Sequence, residues 1–241
     1  MKLLLLSFVA LVCADLYSAG SGVKSLTPKD FTSEVLDNDG VTIVEFYADW
    51  CGHCQNLKPT YEKLAKRLKG LATVAAVQCD APENQELCSR HGVRGYPTLK
   101  IFRKPKNGKR AVPDDYRGER SVPAMANAVI DKIPNHVKYI SSLAEAKAFV
   151  DENVVAVFAH KGKPLVPAML KALAVDFQET LPIGATKPKI LSELLGKDVP
   201  DKSLVIFRNG QPSLYDGDSW KRDSIHSYLS EQAAGKIDDE L

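Results

Sequence analysis

Residues 41–54 read VTIVEFYADWCGHC, and this stretch decides how the chain is interpreted. An apolar run typical of a buried strand leads into two cysteines separated by two residues, and a helical pattern follows. Such a pair at a strand-to-helix junction is typical of a dithiol that cycles with a disulfide. Cys51 is expected at the exposed first turn of the helix, where unpaired N–H groups favour a thiolate. His53 can stabilise that anion further, and a dithiol stabilised when reduced is an oxidant.

A zinc site and a purely structural bridge are the alternatives for the cysteines. A two-residue spacer also occurs in metal knuckles, and four cysteines could supply thiolates to one zinc ion. They are Cys51, Cys54, Cys79 and Cys88. The first pair, however, lies between an apolar strand and a long helix, and a bridge across so short a loop would constrain little of the unfolded chain. Redox chemistry is therefore favoured, with no metal and no bound cofactor.

Both ends of the chain carry patterns typical of targeting. Residues 1–20 are predicted to be a signal peptide that is removed: Lys2 precedes an apolar run over residues 3–12 that is too short to span a bilayer. Cleavage is expected before Asp15, with a second possible site near Gly20, and a short membrane anchor is the alternative. The tail, residues 235–241, ends in DDEL and resembles a retrieval signal of the endoplasmic reticulum, although an acidic solvated tail would look the same.

These two patterns predict a protein of the endoplasmic reticulum lumen that has no membrane segment after signal removal. The chain has 32 basic and 30 acidic residues, and this near-neutral balance argues against a nucleic-acid partner. Its one basic cluster, residues 103–110, contains Asn107-Gly108 and is predicted to be a solvated hairpin tip.

An internal repeat divides the rest of the chain into two domains. Residues 99–104 (LKIFRK) recur as residues 204–209 (LVIFRN), and the strand pattern at 41–47 has a counterpart at 154–160. We therefore expect a catalytic domain over residues 22–133 and a second domain over residues 134–234. Alternating strands and helices predict an α/β fold in which helices cover both faces of each sheet.

The second domain is expected to be redox-inactive. Its residues 160–164 read HKGKP where the first domain has the dithiol, and it contains no cysteine. His160 has no nucleophile near it in the sequence and is interpreted as a loop histidine. The apolar face between Leu165 and Phe177 is first of all core, and part of it, if exposed, could bind unfolded chains.

A resemblance to a known family rests on two motifs. Residues 45–54 (EFYADWCGHC), followed some forty residues later by residues 95–98 (GYPT), resemble a catalytic thioredoxin-fold domain of the protein disulfide isomerase family. The likeness covers essentially all of the first domain. The stretch from Cys79 to Pro105 is similar to compact two-domain fungal isomerases that carry an extra cysteine pair there. The resemblance implies two tandem thioredoxin-like domains, each with a mixed central sheet flanked by helices.

The resemblance also assigns roles to the active-site motif. Cys51 would be the nucleophile and Cys54 the resolving thiol, with Gly52 and His53 completing the motif between them. Pro97 corresponds to a cis-proline that faces the dithiol, although an ordinary trans loop proline is the alternative. Trp50 and Tyr96 would bind substrate beside it.

Two charged residues are assigned to proton transfer. Glu45 is the only charge in its apolar strand, so burial should raise its pKa and make it a proton acceptor for Cys54 through water. Arg120 matches a loop arginine that promotes ionisation of the buried thiol. The alternatives are a Glu with no role at a sheet edge and a solvated loop charge. In one departure from the family, Gln78 stands where many members place a lysine opposite this Glu, so how the proton affinity of Glu45 is set stays open.

A second disulfide is expected between Cys79 and Cys88. Signal removal leaves four cysteines in an oxidising compartment, and these two lie at a strand end and on the following helix. A structural bridge is favoured over a second redox centre, because neither cysteine starts a helix.

The function expected from these features is thiol–disulfide exchange. Partners would be unfolded or misbridged secretory proteins as substrates, and lumenal thiol oxidases or glutathione as electron partners. We expect a monomer. The alternative is a chaperone or adaptor module in which the redox site is secondary.

Overall fold

The computed structural model describes residues 16–105, 109–151, 154–163 and 166–238. The apolar part of the expected signal peptide, the Asn107-Gly108 hairpin tip and the last three residues of the tail lie outside this description.

The first half of the chain forms a five-stranded sheet in the order β1-β3-β2-β4-β5. The strands are β1 (Lys24–Ser25), β2 (Val41–Tyr47), β3 (Thr73–Gln78), β4 (Thr98–Arg103) and β5 (Val112–Asp115). The helices are α1 (Pro28–Phe31, continued by a π-helical turn, Thr32–Leu36), α2 (Gly52–Leu68), α3 (Gln85–Arg90, after a 3-10 turn, Pro82–Asn84) and α4 (Val122–Ile130). Strands β1, β3 and β2 are parallel, β4 pairs antiparallel with β2, and β5 pairs antiparallel with β4, so the sheet is mixed as expected.

Strand β2 is the centre of the first domain, and all seven of its residues are buried. Successive side chains point to opposite faces of a sheet. Ile43 and Tyr47 accordingly pack in one core with residues of α2 and α4, while Val44 and Phe46 pack in another with residues of α1 and α3. The same alternation places Glu45 on the face that α2 covers, beneath the helix that carries the dithiol.

The second half of the chain repeats this plan. Its sheet has the order β10-β9-β7-β8-β6, which is the arrangement of the first sheet element for element. The strands are β6 (Lys138–Tyr139), β7 (Val154–His160), β8 (Ile183–Thr186), β9 (Lys202–Arg208) and β10 (Gln211–Leu214). The helices are α5 (Leu143–Val150), α6 (Ala168–Asp176), α7 (Pro188–Leu195) and α8 (Arg222–Asp238). The repeated sequence motifs form β4 and β9, and the expected tandem thioredoxin-like architecture is confirmed.

The structure differs from the expected boundaries at both ends. Helix α8 continues to Asp238, past the expected domain end at residue 234. At the other end, Tyr17 is 2% exposed and belongs to the core of the first domain, although residues 1–20 were expected to be a removed signal. Removal of all 20 residues would take a buried aromatic side chain out of that core. The folded domain includes Leu16 and Tyr17, which agrees with cleavage before Asp15 and not with cleavage near Gly20; the cleavage position itself stays a prediction.

Within the described part of the chain, no helix combines the length and the apolar character that crossing a membrane requires.

Candidate active site

The two cysteines of the dithiol lie at the start of α2, and both are free thiols. Cys51 is the N-cap residue, and its Sγ accepts a hydrogen bond of 3.4 Å from the backbone N–H of Cys54. Cys51 is 6% exposed and Cys54 is fully buried. Cys51 is thus less exposed than the sequence suggested, but it remains the more accessible sulfur.

Cys54 is a poor acid in this environment. Burial, first of all, raises the pKa of its thiol to about 12, and the hydrogen bond with Cys51 and the charge of Glu45 act in the same direction. Cys54 therefore needs a proton acceptor before it can attack at neutral pH. Gly52 and His53 are exposed on the first turn of α2, and a Cβ at Gly52 would meet open space, so nothing close by requires a glycine there.

An aromatic pair lies beside the dithiol. The Tyr96–Pro97 peptide bond is cis, and Pro97 is buried at the entry to β4. Trp50, 72% exposed, packs edge to face against Tyr96 with 5.9 Å between ring centroids. Burial and the negative charges of Asp80 and Cys54 raise the pKa of Tyr96. The structure thus brings the expected substrate-contacting residues to one surface.

Glu45 is fully buried, and burial raises the pKa of its carboxyl group to about 7. Two groups oppose this rise: the hydroxyl of Tyr17, which donates a hydrogen bond to Oε2, and the positive charge of Arg120. Arg120 also donates a hydrogen bond of 3.0 Å to the carbonyl oxygen of Pro97. The arginine loop therefore contacts the cis-proline segment and influences the buried acid.

Gln78 does not replace the missing lysine. Its side-chain amide donates to Oδ2 of Asp49 at 2.8 Å, and the backbone N–H of Asp49 in turn donates to Asp80 at 3.2 Å. The group that contacts the Glu45 carboxylate is Tyr17, which the sequence analysis missed because it lay within the expected signal peptide. The available signal was the pair Leu16-Tyr17, two apolar residues after the first possible cleavage site at Asp15.

Cys79 and Cys88 form a disulfide with an S–S distance of 2.00 Å. Cys79 directly follows β3 and Cys88 lies on α3, so the bridge ties a strand to a helix as the sequence suggested. Because their sulfurs are bonded to each other, these residues are not thiolate ligands alongside the dithiol. No group of three or more His, Cys, Asp or Glu in the described ranges could hold a metal ion.

The corresponding corner of the second domain carries different chemistry. Strand β7 ends at His160, and Lys161 forms an ion pair of 2.6 Å with Asp201. Strand β9 begins at Lys202, where the first domain has its cis-proline segment just before β4.

Comparison with known proteins agrees with this geometry. The thioredoxin family model matches residues 22–131. A candidate protein disulfide-isomerase of Dictyostelium discoideum is 38% identical over 208 residues, covering 83% of this chain and 50% of that protein. Protein disulfide-isomerase MPD1 of Saccharomyces cerevisiae is 30% identical over a 254-residue alignment, covering 89% of this chain and 79% of that protein. The crystal structure of ERdj5 in form II has a TM-score of 0.53 at 18% identity, over 91% of this chain and 30% of that chain.

The chain thus spans half the length of the Dictyostelium relative, but more than two thirds of the yeast isomerase. The likeness to ERdj5 extends over both domains and concerns the fold. Together, the thioredoxin match in the first domain and the long alignment with the yeast isomerase show that the chain belongs to the protein disulfide isomerase family.

Proposed function

We propose that the protein is a thiol–disulfide oxidoreductase and isomerase that acts through Cys51 and Cys54. The observation that carries the proposal is the position of Cys51, the more accessible sulfur, at the N-terminus of α2, above a buried carboxylic acid. A thiolate is the nucleophile in disulfide exchange, and a helix N-terminus favours it. The first domain is the redox-active one and the second is redox-inactive. The reaction needs no bound cofactor.

In the reducing direction, the Cys51 thiolate attacks one sulfur of a substrate disulfide. A mixed disulfide forms, and the other substrate sulfur leaves as a thiolate. Cys54 then loses its proton and attacks Sγ of Cys51, which releases the second substrate thiolate and leaves the Cys51–Cys54 disulfide. Two electrons pass from the dithiol to the substrate. The reverse sequence oxidises a substrate dithiol, and release followed by renewed attack rearranges wrong disulfides.

Glu45 is the proton acceptor in the resolution step. A Cys54 thiol with a pKa of about 12 is essentially un-ionised at neutral pH, whereas a carboxyl group with a pKa of about 7 is ionised in half of the molecules. A general base is most effective when its pKa lies near the working pH. Arg120 assists, because its charge lowers the pKa of Glu45.

Substrate chains would dock beside the dithiol on Trp50, Tyr96 and the backbone of Pro97. An exposed indole next to a reactive sulfur supplies apolar contact area without demanding a particular sequence. This suits unfolded or misbridged secretory proteins, with lumenal thiol oxidases or glutathione as electron partners. We place the protein in the endoplasmic reticulum lumen on the basis of its family, and we expect a monomer.

The test is trapping by single-cysteine variants. Cys54→Ala should accumulate mixed disulfides with a reduced and re-oxidising substrate, whereas Cys51→Ala should form none, as measured by non-reducing gels and mass spectrometry. Equal trapping by the two variants would contradict the assignment. A Cys51→Ser, Cys54→Ser double variant that still suppressed the aggregation of unfolded proteins would instead support a chaperone or adaptor.

A further inference from the structure

Tyr17 is built into the core of the first domain. Its ring is 2% exposed and meets Tyr47 edge to face, with 6.0 Å between ring centroids, and Tyr61 at 5.8 Å. The backbone N–H of the preceding Leu16 donates to the hydroxyl of Tyr47 at 3.4 Å. The segment is therefore fixed by both side-chain packing and a backbone hydrogen bond.

The hydroxyl of Tyr17 donates a hydrogen bond to Oε2 of Glu45, a fully buried acid. The other oxygen, Oε1, is also buried and has no hydrogen-bond partner among the described residues. The carboxylate thus has one oxygen held by a donor and one open to accept a proton.

We propose that Tyr17 is a positioning residue for the resolution step, in which it takes the place of the absent lysine and orients Glu45 to receive the proton of Cys54. The inference rests on the proposed role of Glu45 in thiol–disulfide exchange. In that step the Cys54 thiol gives its proton to Oε1 through water, and its sulfur bonds to Sγ of Cys51. The bond from Cys51 to the substrate breaks, and the substrate leaves as a thiolate.

The physical reason lies in what a neutral donor does to a buried acid. A hydrogen bond to the charged form favours that form, so Tyr17 lowers the pKa that burial has raised. A lysine would do this with a full charge, whereas a hydroxyl does it without a second buried ion. Burial and the charge of Glu45 raise the pKa of Tyr17 itself well above its ordinary value, so the hydroxyl keeps its proton and remains a donor.

The role has a consequence for processing, because Tyr17 must remain on the mature chain. Cleavage before Asp15 leaves it in place, and cleavage near Gly20 removes it. Mass spectrometry of the protein purified from its own cells should find Tyr17 at or near the N-terminus. A mature chain that begins after Gly20 would overturn the inference.

The decisive experiment measures the rate of mixed-disulfide resolution against pH in a single turnover. The probe is a model peptide joined to Cys51, and its release is followed by stopped flow. In the parent protein, the rate of resolution should rise as pH rises, and the pH at which it is half-maximal, the midpoint, should lie near the pKa of Glu45. Tyr17→Phe keeps the ring and removes the donor, and a hydrogen bond to a charged group corresponds to a midpoint shift of about one to two pH units upward. At pH 7, resolution should slow by about five- to fifty-fold.

Three further variants separate the possible outcomes. Glu45→Gln should abolish the midpoint, and Tyr17→Phe added to it should change nothing more. Tyr215→Phe is the matched control, because it removes a hydroxyl that donates to a backbone carbonyl, that of Ser219 at 2.8 Å, in the second domain; it should leave the midpoint unchanged. A parental midpoint in Tyr17→Phe, with the midpoint abolished in Glu45→Gln, overturns the role of Tyr17 and leaves the proposed function intact. A parental midpoint in Glu45→Gln overturns the proton-acceptor role itself.

A second substitution covers the case in which Tyr17→Phe does not fold. Fluorotyrosine at position 17 keeps the ring and makes the hydroxyl a stronger donor, so the midpoint should move to lower pH. The pKa of Glu45, measured directly from its carboxyl carbon by NMR, should move in the same direction. An unchanged midpoint together with an unchanged pKa would overturn the inference.

Discussion

Replacing Glu45 by Gln should stabilise the first domain at high pH relative to the parent protein. Burial raises the pKa of this group to about 7, from an ordinary value of 4.5. Between these values the folded protein holds a proton that the unfolded chain releases. The parent therefore loses stability as pH rises from about 4.5 to about 7, and a glutamine, which does not titrate, removes that loss.

The size of the effect follows from the two pKa values. They differ by about 2.5, and each pKa unit corresponds to about 1.4 kcal/mol, so the parent should lose about 3 kcal/mol between pH 4 and pH 8. The substitution also leaves a buried amide donor without a partner, at a cost of about 1–3 kcal/mol. That cost does not depend on pH. The quantity to compare is therefore the variant-minus-parent difference in unfolding free energy at the two pH values.

Hydrogen exchange of the slowest amides in β2 measures this difference within the first domain alone. The ratio of parent to variant exchange rates cancels the intrinsic rates, and it should increase by about a hundredfold from pH 4 to pH 8. Glu86→Gln, an exposed position on α3, is the matched control and should give the same ratio at both pH values. A parent-to-variant rate ratio that is independent of pH would refute the reasoning. It would mean that the pKa of Glu45 is the same in the folded protein and in the unfolded chain.

Three further predictions concern the surroundings of the dithiol. His53→Pro should make the dithiol more reducing in a glutathione titration, by about 30 mV for each 1.4 kcal/mol of lost thiolate stabilisation, and an unchanged or more oxidising potential would exclude His53 as a determinant. Replacing Cys79 and Cys88 together by Ala should lower the free energy of unfolding by about 2–3 kcal/mol and leave the glutathione titration of the dithiol unchanged; a shifted potential would instead indicate a second redox centre. Arg120→Gln should move the pH midpoint of resolution upward, because it removes a charge that lowers the pKa of Glu45, and Arg120→Lys should restore the parental midpoint. The same midpoint in the parent and in both variants would contradict this role of Arg120.

The local elements could be predicted because their signals are local. The run at residues 41–47 is a strand with the expected bounds, since an apolar segment rich in β-branched and aromatic residues suits a strand buried on both faces. Cys51 caps α2 because the pattern changes from strand to helix at that residue. The repeat of LKIFRK as LVIFRN revealed the second domain because the two copies form equivalent strands, β4 and β9, of two sheets that have the same strand order.

The surroundings of Glu45 could not be predicted, because they depend on contacts between distant segments. Tyr17 reaches its partner across 28 positions of sequence. A signal peptide is recognised by its apolar stretch and cleavage residues, which carry no information about packing in the mature domain. Gln78 lies on β3, which pairs with β2, but it is in register with Tyr47 and not with Glu45, and its amide donates to Oδ2 of Asp49 at 2.8 Å. The low exposure of Cys51 likewise reflects neighbours that only the folded chain supplies.

The absence of cysteine from the second domain makes that half of the molecule an internal standard. All five cysteines of the chain occur by residue 88, and the two sheets have the same strand order. A change of redox state alters covalent bonds in the first domain only, so strands β6 to β10 report what buffer, temperature and handling do to a fold of the same topology. In a single sample, the change in amide exchange rates of β2 can be divided by the change in β7. The ratio would isolate what the Cys51–Cys54 disulfide alone contributes to the stability of the catalytic domain.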